Sequence, residues 1–124
     1  MTDLTAKPKL ARLFRMQYEE AQQLIGEAVK LNPRSPDGHY NRGWALQALG
    51  RLDDALACFD SAIALNPRYD EALTNRGAVL LALRRYGEAL TSLDAALALR
   101  PDDVEALAAR ANALTSLGRH AEAL

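Results

Sequence analysis

The sequence predicts an all-α fold of stacked helix pairs, and three observations carry that prediction. The chain repeats itself when shifted by 34 residues: Gly43 falls on Gly77, Ala55 on Ala89 and Ala123, and Pro33 on Pro67 and Pro101. Leu46, Leu80 and Leu114 align in the same register, as do Leu49, Leu83 and Leu117. Self-similarity at one fixed period is the mark of a stacked-repeat architecture. Next, apolar residues from Leu10 to Leu31 return in steps of three and four, which keeps one face of a helix apolar. Finally, each unit is punctuated twice, at a Gly or Arg-Arg turn and at an X-Pro turn. This leaves two segments of roughly 13 residues, a length marginal for a lone helix in water, so neighbours must stabilise each other.

Bulk properties narrow the function classes. The chain has 124 residues, 49% of them apolar and 25% charged, which suits a single globular unit. A net charge of −1 and seven aromatic residues not interleaved with basic ones argue against a nucleic-acid partner. Cys58 is the only cysteine, so no disulfide framework or thiolate metal set is expected. The start, Met1–Lys9, lacks the apolar core of a signal peptide. No run approaches the ~18 apolar residues of a membrane span. A cytoplasmic protein without membrane, nucleic-acid or cofactor partners is the expectation.

Taken in order, the first element is one long helix from Pro8, tolerated in a first turn, to Leu31. A hairpin turning near Arg15–Gln17 is the alternative, although no turn residue sits there. Pro33 biases Asn32 away from helical angles, and Ser35-Pro36 supplies a cap and a first helical residue. That helix stops at Gly50, suited to a left-handed C-cap. The next opens at Leu52 or Asp53 and runs to about Leu65. Asp70 is expected to cap a helix reaching about Leu83, where Arg84-Arg85 replaces the Gly-Arg pair and should strain the turn. A helix from Gly87 to about Leu99 follows, then one from the Asp102-Asp103 region to Gly118, and His120–Leu124 begins another. The organisation expected is 1–35, an N-terminal helix and degenerate repeat; 36–69 and 70–103, full repeats; and 104–124, a truncated repeat. Small residues at Gly43, Gly77 and Ala111, and at Ala55 and Ala89, would let helix backbones approach closely. Ala89→Leu should cost on the order of 1–3 kcal/mol by overpacking.

Gly43, Leu46, Gly50, Ala55, Phe59, Ala62 and Pro67, echoed by Gly77, Leu80, Tyr86, Ala89, Ala96 and Pro101, resemble the tetratricopeptide repeat at its own spacing. The resemblance implies a right-handed superhelical solenoid of antiparallel helix pairs whose first helices line a concave groove. It also implies a non-catalytic module that binds peptides or assembles complexes. The NRG wording is similar to repeats of bacterial proteins and of O-linked N-acetylglucosamine transferases, where groove asparagines form a ladder for an extended peptide backbone. Asn41 and Asn75 match such rungs, while Ala109 and Lys7 break the ladder on either side. The family's carboxylate clamp is not matched, since Tyr40, Trp44, Glu105 and Ala109 occupy its positions.

On that inner-helix assignment, helical spacing presents Asp37, Tyr40, Asn41, Trp44 and Gln47, then Glu71, Thr74, Asn75, Ala78 and Leu81, then Glu105, Ala108, Asn112 and Thr115. The peptide-binding residues selected are Tyr40, Asn41, Trp44, Glu71, Thr74, Asn75, Ala78 and Asn112. Trp44 is either an apolar anchor in the groove or a packing residue against the N-terminal helix. Asn41 and Asn75 are either backbone-binding rungs or ordinary solvated asparagines, each contact worth only ~1 kcal/mol.

Arg42, Arg76 and Arg110 form a 34-spaced row, and Asp60 and Asp94 another. Pairing within repeats, Arg42–Asp60 and Arg76–Asp94, is the favoured expectation, with Asp60–Arg76 and Asp94–Arg110 across the boundary as the competitor. His39 and His120 are expected at the surface, without a third metal ligand. Cys58 is expected to be a packed thiol, and Asp53-Asp54 and Asp102-Asp103 to complement helix dipoles. No catalytic set converges on one face. The final helix leaves an apolar side with no cover, which implies either a fragment of a longer array or self-association through that open end. The leading expectation is a non-catalytic scaffold that binds a peptide segment in its groove. The alternatives are a homo-oligomeric structural scaffold and the repeat arm of a larger glycosyltransferase-like enzyme.

Overall fold

The computed structural model of the chain describes residues 8–123, and the side chains of 14–119. Six helices follow in order: α1 (Pro8–Leu31), α2 (Pro36–Ala48), α3 (Leu52–Leu65), α4 (Asp70–Ala82), α5 (Tyr86–Leu99) and α6 (Val104–Ala123). No strand occurs among the described residues. Each helix packs on its neighbour in sequence, and α2, α4 and α6 also touch one another in turn. The result is an all-α solenoid. No described helix is long and apolar enough to cross a membrane. Most of the Met1–Lys9 stretch, including Lys7, lies outside the described residues, as do Leu124 and the side chains of Leu10, Leu13 and His120.

Local chemistry sets most of the boundaries. Ser35 Oγ accepts the Gly38 amide at 3.2 Å and Pro36 follows as the first helical residue, so α2 starts as a capped helix. Gly50 closes it at φ +78°, and in the next repeat Arg84 takes the same left-handed geometry at φ +61°. A side chain there costs roughly 1–2 kcal/mol that glycine avoids, which is the strain expected of Arg84. Asp70 is the first residue of α4 and not its cap, because Tyr69 holds the cap position without a side-chain bond. Asp103, in contrast, caps α6, its Oδ1 accepting the Ala106 amide at 3.3 Å.

Two further expectations fail. The last helix does not break at Gly118; α6 runs on to Ala123 as one helix. Glycine inside a helix costs only ~1 kcal/mol relative to alanine. A turn there would need a packed second helix to offset its cost. The arginine row also pairs the other way. Asp60 binds Arg76 and Asp94 binds Arg110, both across repeat boundaries. Consecutive helices α3 and α4, or α5 and α6, therefore bring those partners together, and Arg42 is left with Gln22 at 3.5 Å.

Two buried clusters form the core along the stack. Phe59 is completely buried among Leu46, Leu56, Val79 and Leu80, and Leu93 is buried with Leu73, Ala96 and Ala106. Truncating such an aromatic to alanine typically costs about 3–5 kcal/mol. The glycines explain how the rings fit: a Cβ on Gly43 would lie 2.8 Å from the Phe59 ring, and one on Gly77 2.6 Å from the Leu93 side chain. Ala55 and Ala89 are fully buried, but Ala111 is exposed because among the described residues no helix packs behind α6 at the equivalent place.

Candidate functional site

The inner helices α2, α4 and α6 meet over a shallow depression of about 450 Å3. α2 contributes Trp44, Gln47 and Ala48; α4 contributes Thr74, Asn75 and Ala78; α6 contributes Glu105 and Ala109. The three alanines make a low apolar floor, and the polar groups stand around it. Four of the eight expected site residues, Trp44, Thr74, Asn75 and Ala78, are thus brought together.

Trp44 stands at the groove and also packs on the N-terminal helix. Its ring is 49% exposed and walls the depression. It also meets Tyr18 of α1 edge-on, with centroids 5.7 Å apart. Thr74 is only 5% exposed and donates to Asp103 Oδ2 at 3.3 Å, so it braces the α4–α6 contact as well as lining the floor.

Tyr40 is half-buried and tilts against Phe59 at 5.8 Å and Tyr69 at 5.1 Å. Burial first and then the Glu71 carboxylate push its phenol up, with Asn75's side chain opposing and Glu105 and Asp70 adding to the rise. Asn41, Glu71 and Asn112 are exposed on the same helices but do not line the depression. Leu81 turns inward and packs on the core instead of the groove.

Several contributors were not selected from the sequence. Gln47 and Glu105 were placed on the groove face but not chosen, and the 34-residue row Asp37, Glu71 and Glu105 was the signal available for the acids. Tyr69, at the N-cap of α4, donates to Asp37 Oδ1 at 2.7 Å and so ties the starts of α2 and α4 together. Burial, the Asp37 bond and nearby carboxylates all hold the Tyr69 phenol well above its ordinary range.

Elsewhere the candidates are structural. Cys58 is buried, and desolvation pushes its thiol up despite the opposing charge of Arg42. His39 is half-buried, not fully at the surface, and its Nε2 lies 2.7 Å from the Pro33 carbonyl, to which it can only donate. Among the described residues, no three His, Cys, Asp or Glu side chains gather as a metal site.

Two sequence profiles, each described as tetratricopeptide repeat, match residues 36–69 and 74–124, together more than half of the chain. No curated protein matches the chain. Among solved structures, the first TPR domain of Spaghetti (RPAP3) bound to HSP90 peptide SRMEEVD is similar at TM-score 0.81 and 28% identity, over 93% of this chain and 92% of that one. The Arabidopsis OM64 TPR domain is similar at TM-score 0.78 and 27% identity, over 85% and 87%. The MamA RS-1 ArsTM double mutant reaches 32% identity at TM-score 0.79, over 86% of this chain and 60% of that one. With its 34-residue period realised as packed helix pairs, the chain belongs to the tetratricopeptide repeat family.

Proposed function

We propose that the chain is a non-catalytic protein-interaction scaffold that binds an extended peptide segment along the α2–α4–α6 groove. The observation that carries this reading is Trp44, half exposed at the wall of a depression floored by alanines. An aromatic held this way offers large contact area at low entropic cost, the usual property of an interface anchor. Asn41 and Asn75 act as two backbone rungs in the manner of NRG-type repeats, with Asn41 exposed and Asn75 half-buried at the depression. The Spaghetti domain is bound to an HSP90 peptide, which supports peptide capture as the mode. The chemistry of capture differs here, because Glu105 and Ala109 replace the clamp's cationic positions. A peptide-array screen repeated with Asn41→Ala, Asn75→Ala and Trp44→Ala tests the reading. Capture is expected to fall in all three, most in Trp44→Ala, and unchanged capture in every variant retires the groove.

A second reading rests on α6, where Val104, Leu107 and Leu114 are 75%, 47% and 45% exposed. An apolar row of that kind favours self-association through the terminal face. Light-scattering mass measured against concentration separates it from the first: a rise that Leu107→Lys abolishes supports a scaffold of mated copies, and a constant monomer mass removes it.

A further inference from the structure

Resting on the peptide-groove reading, we infer that the depression between α2, α4 and α6 receives a basic side chain, arginine or lysine, from the bound segment. Acceptors gather in it, at Gln47 Oε1, Thr74 Oγ1, the Asn75 amide oxygen and the Glu105 carboxylate, and Glu105 is the one charged residue of the lining. Gln47 Oε1 is shielded from water and has no hydrogen-bond partner, a condition native proteins seldom leave unmet. Glu105 is exposed on the same wall, and among the described residues neither it nor Glu71 takes part in an ion pair. Thr74 already gives its proton to Asp103, so its oxygen has only lone pairs to offer.

The remaining wall is the π face of Trp44, which attracts a cation placed over it. No lysine or arginine lines the depression. The local field agrees: Glu71, Glu105 and Asp70 all act on Tyr40 in the direction that negative charge produces. The third acid of the row, Asp37, is engaged by Tyr69, which leaves Glu105 on the wall of the depression to meet a ligand and Glu71, outside the lining, to add to the negative field. A guanidinium fits this set best, since its plane stacks on indole while its N–H groups reach a carboxylate and an amide oxygen together. An acidic segment would meet the Glu105 carboxylate with no lining cation to offset it.

The test selects random short peptides on the intact chain and then titrates the best binders, following the fluorescence of Trp44, the single tryptophan. Selected sequences are expected to be rich in arginine and lysine. Exchanging the basic residue for citrulline or norleucine should weaken binding, and Glu105→Gln should do so by about two- to fivefold, as for a half-exposed ion pair. Added salt should weaken it further. Glu71→Lys with Glu105→Lys should turn the preference toward acidic peptides. Both side chains are exposed, so melting temperatures are expected to stay unchanged and folding can be checked independently. Peptides that need Trp44 but show no preference for basic residues, or that ignore Glu105→Gln, Glu71→Gln and salt, overturn this inference while leaving the groove reading intact. Absence of any Trp44-dependent capture overturns both.

Discussion

Arg76 reaches back across a repeat boundary to Asp60, its Nε 2.5 Å from Oδ1, and Arg110 does the same to Asp94 at 2.7 Å. The carboxylates sit on outer helices and the guanidiniums on the next inner helices, so each pair fastens one repeat to its successor. Arg42 would need an acid at Gly26, the position one period before Asp60, and finds none. A double-mutant cycle on Asp60 and Arg76 should give a coupling of about 0.2–1 kcal/mol, because both side chains keep contact with water. The cycle on Asp60 and Arg42 should give none. Urea unfolding of the four proteins of each cycle measures both, and equal couplings would remove the cross-boundary fastening.

Gly77 and Gly87 make a matched contrast within one repeat. A methyl group on Gly77 meets Leu93 at 2.6 Å, deep in the core, whereas one on Gly87 meets nothing within 4 Å. Gly77→Ala should therefore destabilise by about 1–3 kcal/mol. Gly87→Ala should be neutral or gain up to about 0.5–1 kcal/mol from helix propensity. Thermal melts of the two variants check the sign of each effect, the first set by packing against Leu93 and the second by backbone entropy.

These positions also mark how far the sequence could be read. Periodicity and turn chemistry gave five helices to within a residue or two, because Ser35, Gly50 and the X-Pro turns act locally. Arg84 stood out as a strained turn for the same reason, and it does take φ +61°. The end of α6 was misplaced because Gly118 stops a helix only when a partner helix rewards the turn. The direction of the Arg–Asp pairing was equally hidden, since a 34-residue period fits both registers and only the superhelical offset between neighbouring repeats chooses one. At the site, the spacing put Trp44, Thr74, Asn75 and Ala78 on one face correctly. It could not reveal that Leu81 rotates into the core or that Gln47 and Glu105 close the depression, because those depend on how the three inner helices converge.

Tyr69 makes the fold sensitive to alkali. Its phenol is held above the ordinary value by burial and by donation to Asp37, so the folded chain keeps a proton that the unfolded chain releases near pH ~10. For a group raised on folding, the associated stability is fully present below that pH and is lost as pH rises beyond it. Melting temperature should thus hold from pH 7 to about 10 and then decline. Tyr69→Phe should start lower by about 0.5–1.5 kcal/mol, the worth of one hydrogen bond, and decline less steeply above pH ~10. Parallel slopes for the two proteins would exclude Tyr69 as the source.

Trp44 joins the two halves of the argument, since one edge packs on Tyr18 and the rest walls the groove. The aromatic contact holds α1 to the first full repeat and should contribute about 0.5–1.5 kcal/mol beyond area burial. Tyr18→Ala removes that contact without touching the depression, because Tyr18 is not among its lining residues. Stability should fall while peptide capture persists at temperatures below the lowered melt. Trp44→Ala should lose both together. If Tyr18→Ala abolished capture in a chain still folded by circular dichroism, the groove would depend on the pose that α1 imposes on the indole, and Trp44 would be positioned by its neighbour before it could anchor a ligand.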